Sequence, residues 1–151
     1  MQQETFIIGN KEYTAIRMNA FDANLLLLKI QKIVLPLFAS IKGQQGAVTD
    51  IMDLDVSQAA SVLAENLSED TFKSIVFPMF EKAKVYSTEH KRIIKSPADV
   101  DIVFTAENLL DLYELIWEVA RYNFHPFFLQ ITERFGLRQG GGQSNQQTME
   151  S

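Results

Sequence analysis

The stretch AENLLDLYELIWEVARYNF, residues 106–124, decides the fold of this chain of 151 residues. It contains no glycine or proline, and Thr105 before it is a residue type that caps the first turn of many helices. We therefore predict the longest helix of the chain here. Pro126 is expected to interrupt this helix, the segment FFLQITERF to continue it, and Gly136 to end it.

One side of the predicted helix is polar and the rest is apolar. At about 100° per residue, the charged side chains fall in a single stripe about 80° wide. A helix on the surface of a globular domain needs an apolar arc of little more than ~100°. Two explanations of the excess stay open: a helix buried at the centre of the domain, or a surface kept partly for a partner. The charged stripe consists of Glu107, Asp111, Glu114, Glu118 and Arg121.

The end of this helix is rich in aromatic residues, and the chain as a whole has 11 Phe. Aromatic side chains dominate binding hot spots because each removes a large apolar area from water at low entropic cost. A domain of this length has a limited interior in which to hold them. We therefore predict a partner-binding surface on this helix and the turn after it, formed by Leu109, Tyr113, Ile116, Trp117, Tyr122, Phe124, Phe127 and Phe128.

The first residues of the chain predict a small β-hairpin, roughly residues 4–18. Two runs of β-branched and aromatic residues flank Gly9-Asn10, a pair that readily takes the positive φ angles of a tight turn. An isolated hairpin is only marginally stable in water. One face of the hairpin, with Phe6 and Ile8 as the candidates, is therefore expected to pack on the helices that follow.

A leucine-rich helix of about four turns is predicted between Asn19, which is a suitable N-cap, and Pro36. Its apolar residues fall on two separate arcs, and two apolar faces need two neighbours. The first arc holds Leu26, Leu27, Ile30, Ile33 and Val34, and the second holds Leu25, Leu28 and Leu35.

Two shorter helices are predicted next. Asp55 is a suitable cap for a helix that runs through about Asn66, and Ser68 is a suitable cap for the next one. Pro78 is expected to kink or break this second helix near Phe77. The residues on its predicted core face are Phe72, Ile75, Val76, Met79 and Ala83.

The helical period is lost between residues 83 and 103. Two short strands are predicted there, at residues 92–94 and 100–104, where they can pair with the hairpin. The last residues contain almost no apolar side chains and cannot offset the entropy lost on ordering. Together the elements predict a mainly α fold with a small N-terminal β-hairpin, of the α+β class. We expect one compact helical domain over residues 1–137 and a disordered polar tail over residues 138–151.

The composition limits the classes of partner. A net charge of -5 and a pI near 5.0 oppose contact with a phosphate backbone, so no nucleic-acid partner is predicted. No signal peptide is recognisable, and no apolar stretch approaches the ~18 residues of a membrane span, so no membrane association is predicted. The absence of cysteine fits a reducing cytoplasm. One basic run is either a solvated connector or a surface for an acidic partner: Lys82, Lys84, His90, Lys91, Arg92 and Lys95.

No catalytic, metal-binding or cofactor-binding motif is recognisable. His90 and His125 stand apart in sequence, and neither belongs to the usual spacing of a zinc site. The aspartates at positions 50, 53 and 55 lack the glycine and the terminal glutamate of a calcium loop. The triple glycine at positions 140 to 142 lacks the Lys and Ser/Thr of a phosphate-binding loop. We therefore predict a protein that is not an enzyme and that uses no cofactor or metal.

The order and sequence of these parts resemble the tail assembly chaperones of long-tailed bacteriophages. The resemblance covers roughly residues 5–130: the hairpin pattern from Phe6 to Tyr13, the segments AFDANLLLLKI and LSEDTFKSIV, and the helix from Glu107 to Phe128. Its most specific part is an Asn-x-x-Pro-Phe-Phe turn at residues 123–128. The basic run and the polar ending depart from the family pattern, which leaves the partner contacts there open.

The resemblance implies a protein that acts in the cytoplasm of the bacterial host during virion assembly. Such a protein coats the long helical tape-measure protein, keeps it from aggregating and helps tail-tube subunits assemble around it. The resemblance also implies that ribosomal frameshifting near the end of the gene gives a longer form, and it leaves self-association open. Shielding of an amphipathic helix in an apolar groove is a common mode of recognition.

Two other functions are compatible with the sequence. The first is a small regulatory protein that sequesters a host protein, and preferential capture of a host protein would favour it. The second is an enzyme with an unrecognised site. A cluster of buried carboxylates around a deep polar pocket would favour that function.

Overall fold

A computed structural model describes residues 3–30 and 55–131, with side chains up to Pro126. These residues form a mainly α architecture with a small N-terminal antiparallel sheet, so the predicted fold class is confirmed. Outside them lie the predicted tail over residues 138–151 and the predictions made for Ile33, Val34, Leu35, Pro36 and Gly136.

The hairpin forms as predicted. Strand β1 (Gln3–Ile8) pairs with strand β2 (Lys11–Ile16) in antiparallel register. Gly9 and Asn10, between the strands, have φ angles of 59° and 67°. Positive φ at both central positions is the mark of a type I′ turn, whose twist matches the twist of the paired strands.

Two short strands extend the sheet on the far side of β2. Strand β3 (Tyr86–Ser87) pairs with β2, and strand β4 (Arg92–Ile93) pairs with β3. The strand predicted at residues 92–94 is therefore confirmed, and it joins the hairpin through β3. The strand order β1-β2-β3-β4 leaves β1 at one edge of the sheet.

Helix α1 covers residues 20–30 and starts where the N-cap prediction placed it. The described residues of its two predicted apolar arcs differ in burial. Leu26 and Leu27 lie in the core, whereas Leu25 and Leu28 are exposed. Within the described residues, the second arc has no neighbour that covers it.

Helices α2 and α3 start at the predicted caps. Helix α2 (Val56–Asn66) follows Asp55, whose carboxylate accepts a backbone N–H of the first turn. Helix α3 (Glu69–Thr71) follows Ser68, whose hydroxyl accepts the N–H of Thr71 at 3.2 Å. Each side chain satisfies a backbone donor that has no partner within its own helix.

Helix α3 continues without a break into a π-helical turn (Phe72–Val76) and then into helix α4 (Phe77–Lys82). Pro78 has no N–H to donate to the carbonyl of Ser74 four residues earlier. The ammonium group of Lys29 on α1 donates to that carbonyl instead, at 3.3 Å. A widened turn lets a helix accommodate such an irregularity without ending. Of the kink or break predicted near Phe77, the break is absent, and a π-helical turn directly precedes this residue.

The prediction of a strand over residues 100–104 is wrong, because helix α5 (Pro97–Val103) occupies this region. Ser96 caps the helix: its hydroxyl accepts the N–H of Asp99 at 3.3 Å. Proline suits the first helical position, since its φ angle is already fixed near the helical value. The helix-start signal Ser-Pro-x-Asp therefore outweighs the β-branched residues that follow it.

Helix α6 (Leu109–Ile131) follows a 3₁₀ turn (Ala106–Asn108) that Thr105 caps, as predicted. The prediction that Pro126 interrupts this helix is wrong, because the helix continues past Pro126 to Ile131. An interior proline removes one backbone hydrogen bond, and the N–H groups after it can again reach their carbonyls. Pro126 therefore costs this helix one backbone hydrogen bond without interrupting it.

Helix α6 forms the centre of the core. It packs against α2 and against β1. Leu115 and Val119 in its middle are completely enclosed. Phe6 and Ile8 of the hairpin are buried in the same core, as predicted, and the ring of Phe6 meets that of Tyr122 edge-on at 6.2 Å. The explanation of a helix buried at the centre of the domain therefore holds for the middle of α6.

The hairpin turn lies directly against α6. A Cβ atom on Gly9 would collide with the carboxylate of Asp111. The φ angle of Gly9, 59°, is also one that residues with a side chain rarely adopt. The backbone conformation therefore favours glycine at this position, and any side chain here would also have to displace the carboxylate of Asp111.

Candidate partner-binding groove

An apolar groove opens between three helical segments: the π-helical turn with its flanking helices, α5, and the first turns of α6. Its volume is about 310 Å³, at the lower end of the range of ligand pockets. We call it the apolar groove. The side chains that make it apolar are Phe72, Phe77, Val100, Leu109, Leu112 and Tyr113.

Three aromatic rings form one wall of the apolar groove. The rings of Phe72 and Phe77 are 5.8 Å apart, and those of Phe72 and Tyr113 are 6.0 Å apart at an angle of 79°. Residues five apart in an α-helix point about 140° away from each other. A π-helical turn has more residues per turn, so it brings Phe72 and Phe77 closer to one face. The irregular helix thus builds the aromatic wall.

Leu109 is the exposed apolar residue of the groove on α6. Its side chain is 43% exposed, although it lies at the start of the longest helix of the described chain. The next residue, Leu110, is 46% exposed but does not line the groove. The two leucines therefore differ in position and hardly at all in exposure.

Charged residues line the rim of the groove. Lys73 and Glu69 form an ion pair at 3.2 Å on the surface of the helix, and Asp101 lies on α5. An exposed ion pair of this kind contributes at most about 1 kcal/mol to stability. An apolar floor with a charged rim is the usual composition of a protein-binding surface.

Asp99 holds the α5 wall of the groove in place. Its carboxylate accepts hydrogen bonds from Arg92 at 2.7 Å, from the hydroxyl of Ser96 at 2.9 Å and from the N–H of Lys95 at 3.1 Å. Burial alone would raise the pKa of Asp99, but these hydrogen bonds together with the charge of Arg92 lower it. The aspartate is therefore held in its ionised form, and it ties the β4 end of the sheet to the first turn of α5.

The polar stripe of α6 is crowded with carboxylates. Burial raises the pKa of Glu114, and the negative charges of Asp111, Glu118 and Asp55 raise it further. Arg121 pairs with Glu118 at 2.8 Å. The predicted stripe is therefore only partly in contact with water.

The structure places the eight predicted partner-binding residues in three different surroundings. Two of them, Leu109 and Tyr113, line the apolar groove. Three others are buried in the core: Ile116, Trp117 and Phe124. Tyr122 lies in a separate cleft beside the hairpin, and the side chains of Phe127 and Phe128 lie outside the described residues. Whether these residues bind a partner stays a prediction.

Three other groove residues come from segments outside the predicted site: Phe72, Phe77 and Val100. Phe72 was predicted on a core face, and it is indeed only partly exposed. Val100 was predicted in a strand, whereas the structure places it in helix α5. The sequence carries no signal that would bring these side chains together, because the π-helical turn and α5 both had to be placed first.

Residues 3–30 and 55–131 contain no cluster of His, Cys, Asp and Glu that could hold a metal ion. In the same part of the chain, no helix combines the length with the apolar character that crossing a bilayer requires.

The fold and the groove together define a class: a helical domain with a small sheet and an open apolar surface bordered by charge. The sequence family described as phage tail assembly chaperone protein, TAC, matches residues 9–136. This match covers most of the chain, so the chain belongs to that family, and the resemblance found in the sequence is confirmed. No curated protein and no solved structure matches the chain.

Proposed function

We propose that the protein is a tail assembly chaperone that binds and shields the tape-measure protein and helps the tail tube assemble around it. The family supports a role in tail assembly. The apolar groove is the observation that carries the finer proposal, because it leaves Leu109 exposed and the rings of Phe72, Phe77 and Tyr113 partly exposed. In this proposal the apolar groove binds one apolar face of a helical segment of the tape-measure protein.

The groove has the properties that helix recognition needs. An amphipathic helix presents apolar anchors one turn apart, and such anchors bind in an apolar groove with aromatic walls. Phe72, Phe77 and Tyr113 provide the aromatic wall, and Leu109 provides exposed aliphatic surface. The charges of Glu69, Lys73 and Asp101 on the rim would orient the bound helix and contribute little affinity.

The remaining parts of the proposal follow from the same role. The protein acts by binding, without catalysis of its own, in the cytoplasm of the bacterial host. One domain over residues 1–137 carries the binding surface, and the polar tail over residues 138–151 follows it. The tail-tube protein is a further partner of the assembled complex.

The test compares two neighbouring leucines. Leu109→Glu puts a charge into the apolar groove, whereas Leu110→Glu puts the same charge on an equally exposed position outside it. The tape-measure protein of the same phage is co-expressed with each full-length variant and recovered by affinity purification. Leu109→Glu is expected to recover about tenfold less of it than the wild type, and Leu110→Glu the same amount as the wild type.

Two results contradict the proposal. Equal recovery with both variants would show that the groove does not bind the tape-measure protein. Preferential capture of a host protein, lost on Leu109→Glu, would instead support a regulatory protein that sequesters that host protein. Circular dichroism of both variants checks that neither change has unfolded the domain.

A further inference from the structure

A second opening lies between the edge of the sheet and the end of α6, and it shares no residue with the apolar groove. Its volume is about 490 Å³. One wall consists of four consecutive residues of β1, Glu4 to Ile7, and the other includes Tyr122, His125 and Pro126 of α6. We call it the edge cleft.

The backbone of β1 faces the edge cleft with unpaired hydrogen-bonding groups. In a type I′ turn the carbonyl of Ile8 accepts the N–H of Lys11, so these two form a hydrogen-bonded pair. Hydrogen-bonded pairs alternate along an antiparallel ladder. Thr5 and Ile7 therefore belong to the other pairs, and their N–H and C=O groups point away from β2. No described strand takes up these groups.

An edge of this kind is usually protected. Proteins blunt exposed edges with proline, lysine, a bulge or a covering segment, because an open edge pairs with other chains. β1 has six residues, contains neither proline nor lysine, and keeps a continuous register with β2. Ile7 on its outer face is 67% exposed. The edge is thus regular, apolar in part, and open within the described chain.

The cleft also carries one cation that no described acidic group neutralises. The guanidinium of Arg17 lies 4.4 Å from the centre of the Tyr122 ring, and none of the ion pairs among the described residues includes it. The other arginine of the cleft, Arg121, is paired with Glu118. Glu4 also lines the cleft, but its side chain is exposed to solvent, and it forms no ion pair with Arg17. Arg17 is therefore the charge available to a carboxylate of a bound segment.

We propose that the edge cleft binds an extended, partly apolar segment of another protein, which adds a fifth strand beside β1 and places an acidic side chain against Arg17. A helical segment satisfies its own backbone groups, so it would leave Thr5 and Ile7 unpaired, whereas an extended segment pairs with both. Its alternate side chains pack on the ring of Tyr122 and beside Ile7. This surface is independent of the apolar groove and of the function proposed for it.

The first experiment tests strand pairing without changing the protein. The probe is a short synthetic peptide in which Thr and Val alternate around a central Glu, labelled with a fluorophore and titrated with the full-length chain. Two further peptides are N-methylated on every second amide, one at the odd and the other at the even positions. Only one set of amides can face β1, so one methylated peptide should bind as well as the parent and the other at least about tenfold more weakly.

Three outcomes overturn the proposal at this step. They are the absence of binding by the parent peptide up to about 1 mM, equal binding by both methylated peptides, and equal weakening of both. The first shows that the cleft does not accept an extended segment. The other two show that binding does not use a strand edge.

The second experiment tests the charge. Arg17→Gln should weaken the Glu peptide about threefold to tenfold and leave a peptide with Gln in place of Glu unchanged. Lys91→Gln removes a cation outside the cleft and should change neither. Equal effects of Arg17→Gln on both peptides would overturn the assignment of the acidic side chain to Arg17.

The third measurement distinguishes a segment of another protein from two other occupants of the β1 edge, a segment of this chain and a second copy of it. Amide hydrogen exchange at Thr5 and Ile7 is followed in the free full-length protein at low and high concentration. Fast exchange at both concentrations, slowed by the parent peptide, is the expected result. Protection at both concentrations would assign the edge to a segment of this chain, and protection only at high concentration would assign it to a second copy. Either result overturns the proposal.

Discussion

The beginning and the middle of α6 have the same kinds of residue in different surroundings. Leu109 and Leu110 at its start are about half exposed, whereas Leu115 and Trp117 in its middle are 0% and 7% exposed. Hydrophobic periodicity reports only which residues are apolar, and the neighbouring elements decide which of them are covered. α2 and β1 cover the middle of the helix. At the start, the apolar groove leaves part of the surface open.

The largest expected effect on stability comes from truncating a buried side chain in the middle of α6. Trp117→Ala should lower the free energy of unfolding by about 4 kcal/mol, because it removes a large buried side chain and leaves a cavity. Urea denaturation measures the loss. Trp117→Phe is the matched control: it keeps most of the volume and removes an indole N–H that has no acceptor among the described residues. If Trp117→Ala left the stability unchanged and abolished partner binding, the contrast between the covered middle and the open start of α6 would be contradicted.

The next effect comes from the support of the groove wall. Asp99→Asn should lower the free energy of unfolding by about 2 kcal/mol, since it weakens the hydrogen bonds from Arg92, Ser96 and Lys95 to a charged acceptor.

The carboxylate of Asp99 also makes the stability depend on pH. The pKa of Asp99 is lowered in the fold, so its stabilisation is fully present above the unfolded pKa of about 3.9 and is lost as the pH falls through the folded pKa.

The check is denaturation of the wild type and Asp99→Asn at several pH values. Their difference should be largest near neutral pH and shrink at acid pH. A difference that stays constant down to low pH would show that the loss reflects packing and not the charge of Asp99.

A smaller effect of opposite sign is expected at the polar stripe. The raised pKa of Glu114 means that its ionised form disfavours the fold, so the penalty is present above the folded pKa and disappears as the pH falls below the unfolded value of about 4.3. Glu114→Gln should therefore be slightly more stable than the wild type at neutral pH, and equal to it near pH ~4. Thermal unfolding across this range measures the difference, and a variant less stable at neutral pH contradicts the expectation.

The smallest effect on stability belongs to the open region. Leu109→Glu and Leu110→Glu should each change the free energy of unfolding by no more than about 0.5 kcal/mol, because both side chains are already partly in water. Urea denaturation compares the two with the wild type. A loss of more than ~2 kcal/mol on Leu109→Glu alone would mean that the groove is part of the core, and would remove the contrast between the two regions.

Much of the fold follows from local sequence signals. Gly9-Asn10 specifies the hairpin turn, and Ser68 and Thr105 mark helix starts that the structure confirms. The two errors arise where one local signal competes with another. Ser96 and Pro97 start a helix in a segment whose β-branched residues favour a strand, and Pro126 does not interrupt a helix whose apolar residues on both sides favour its continuation.

The groove was beyond prediction for a different reason. Leu109 and Tyr113 were identified, because their apolar character is visible in α6 itself. Phe72 and Phe77 come together through a π-helical turn, and such a turn has no periodic signature that would reveal it in a sequence. Ile116 and Trp117 look the same as Leu109 on a helical wheel, and only the packing of other elements separates them.

The contact between the hairpin turn and α6 constrains how the sequence can change over evolution. Any residue other than glycine at position 9 meets both an unfavourable backbone angle and the carboxylate of Asp111. Among related sequences, we expect an alignment column of nearly invariant glycine here, although the turn lies on the surface. A replacement of Gly9 has to displace the Asp111 carboxylate, so it should appear more often together with a shorter side chain at position 111, and these two positions far apart in the chain are expected to covary.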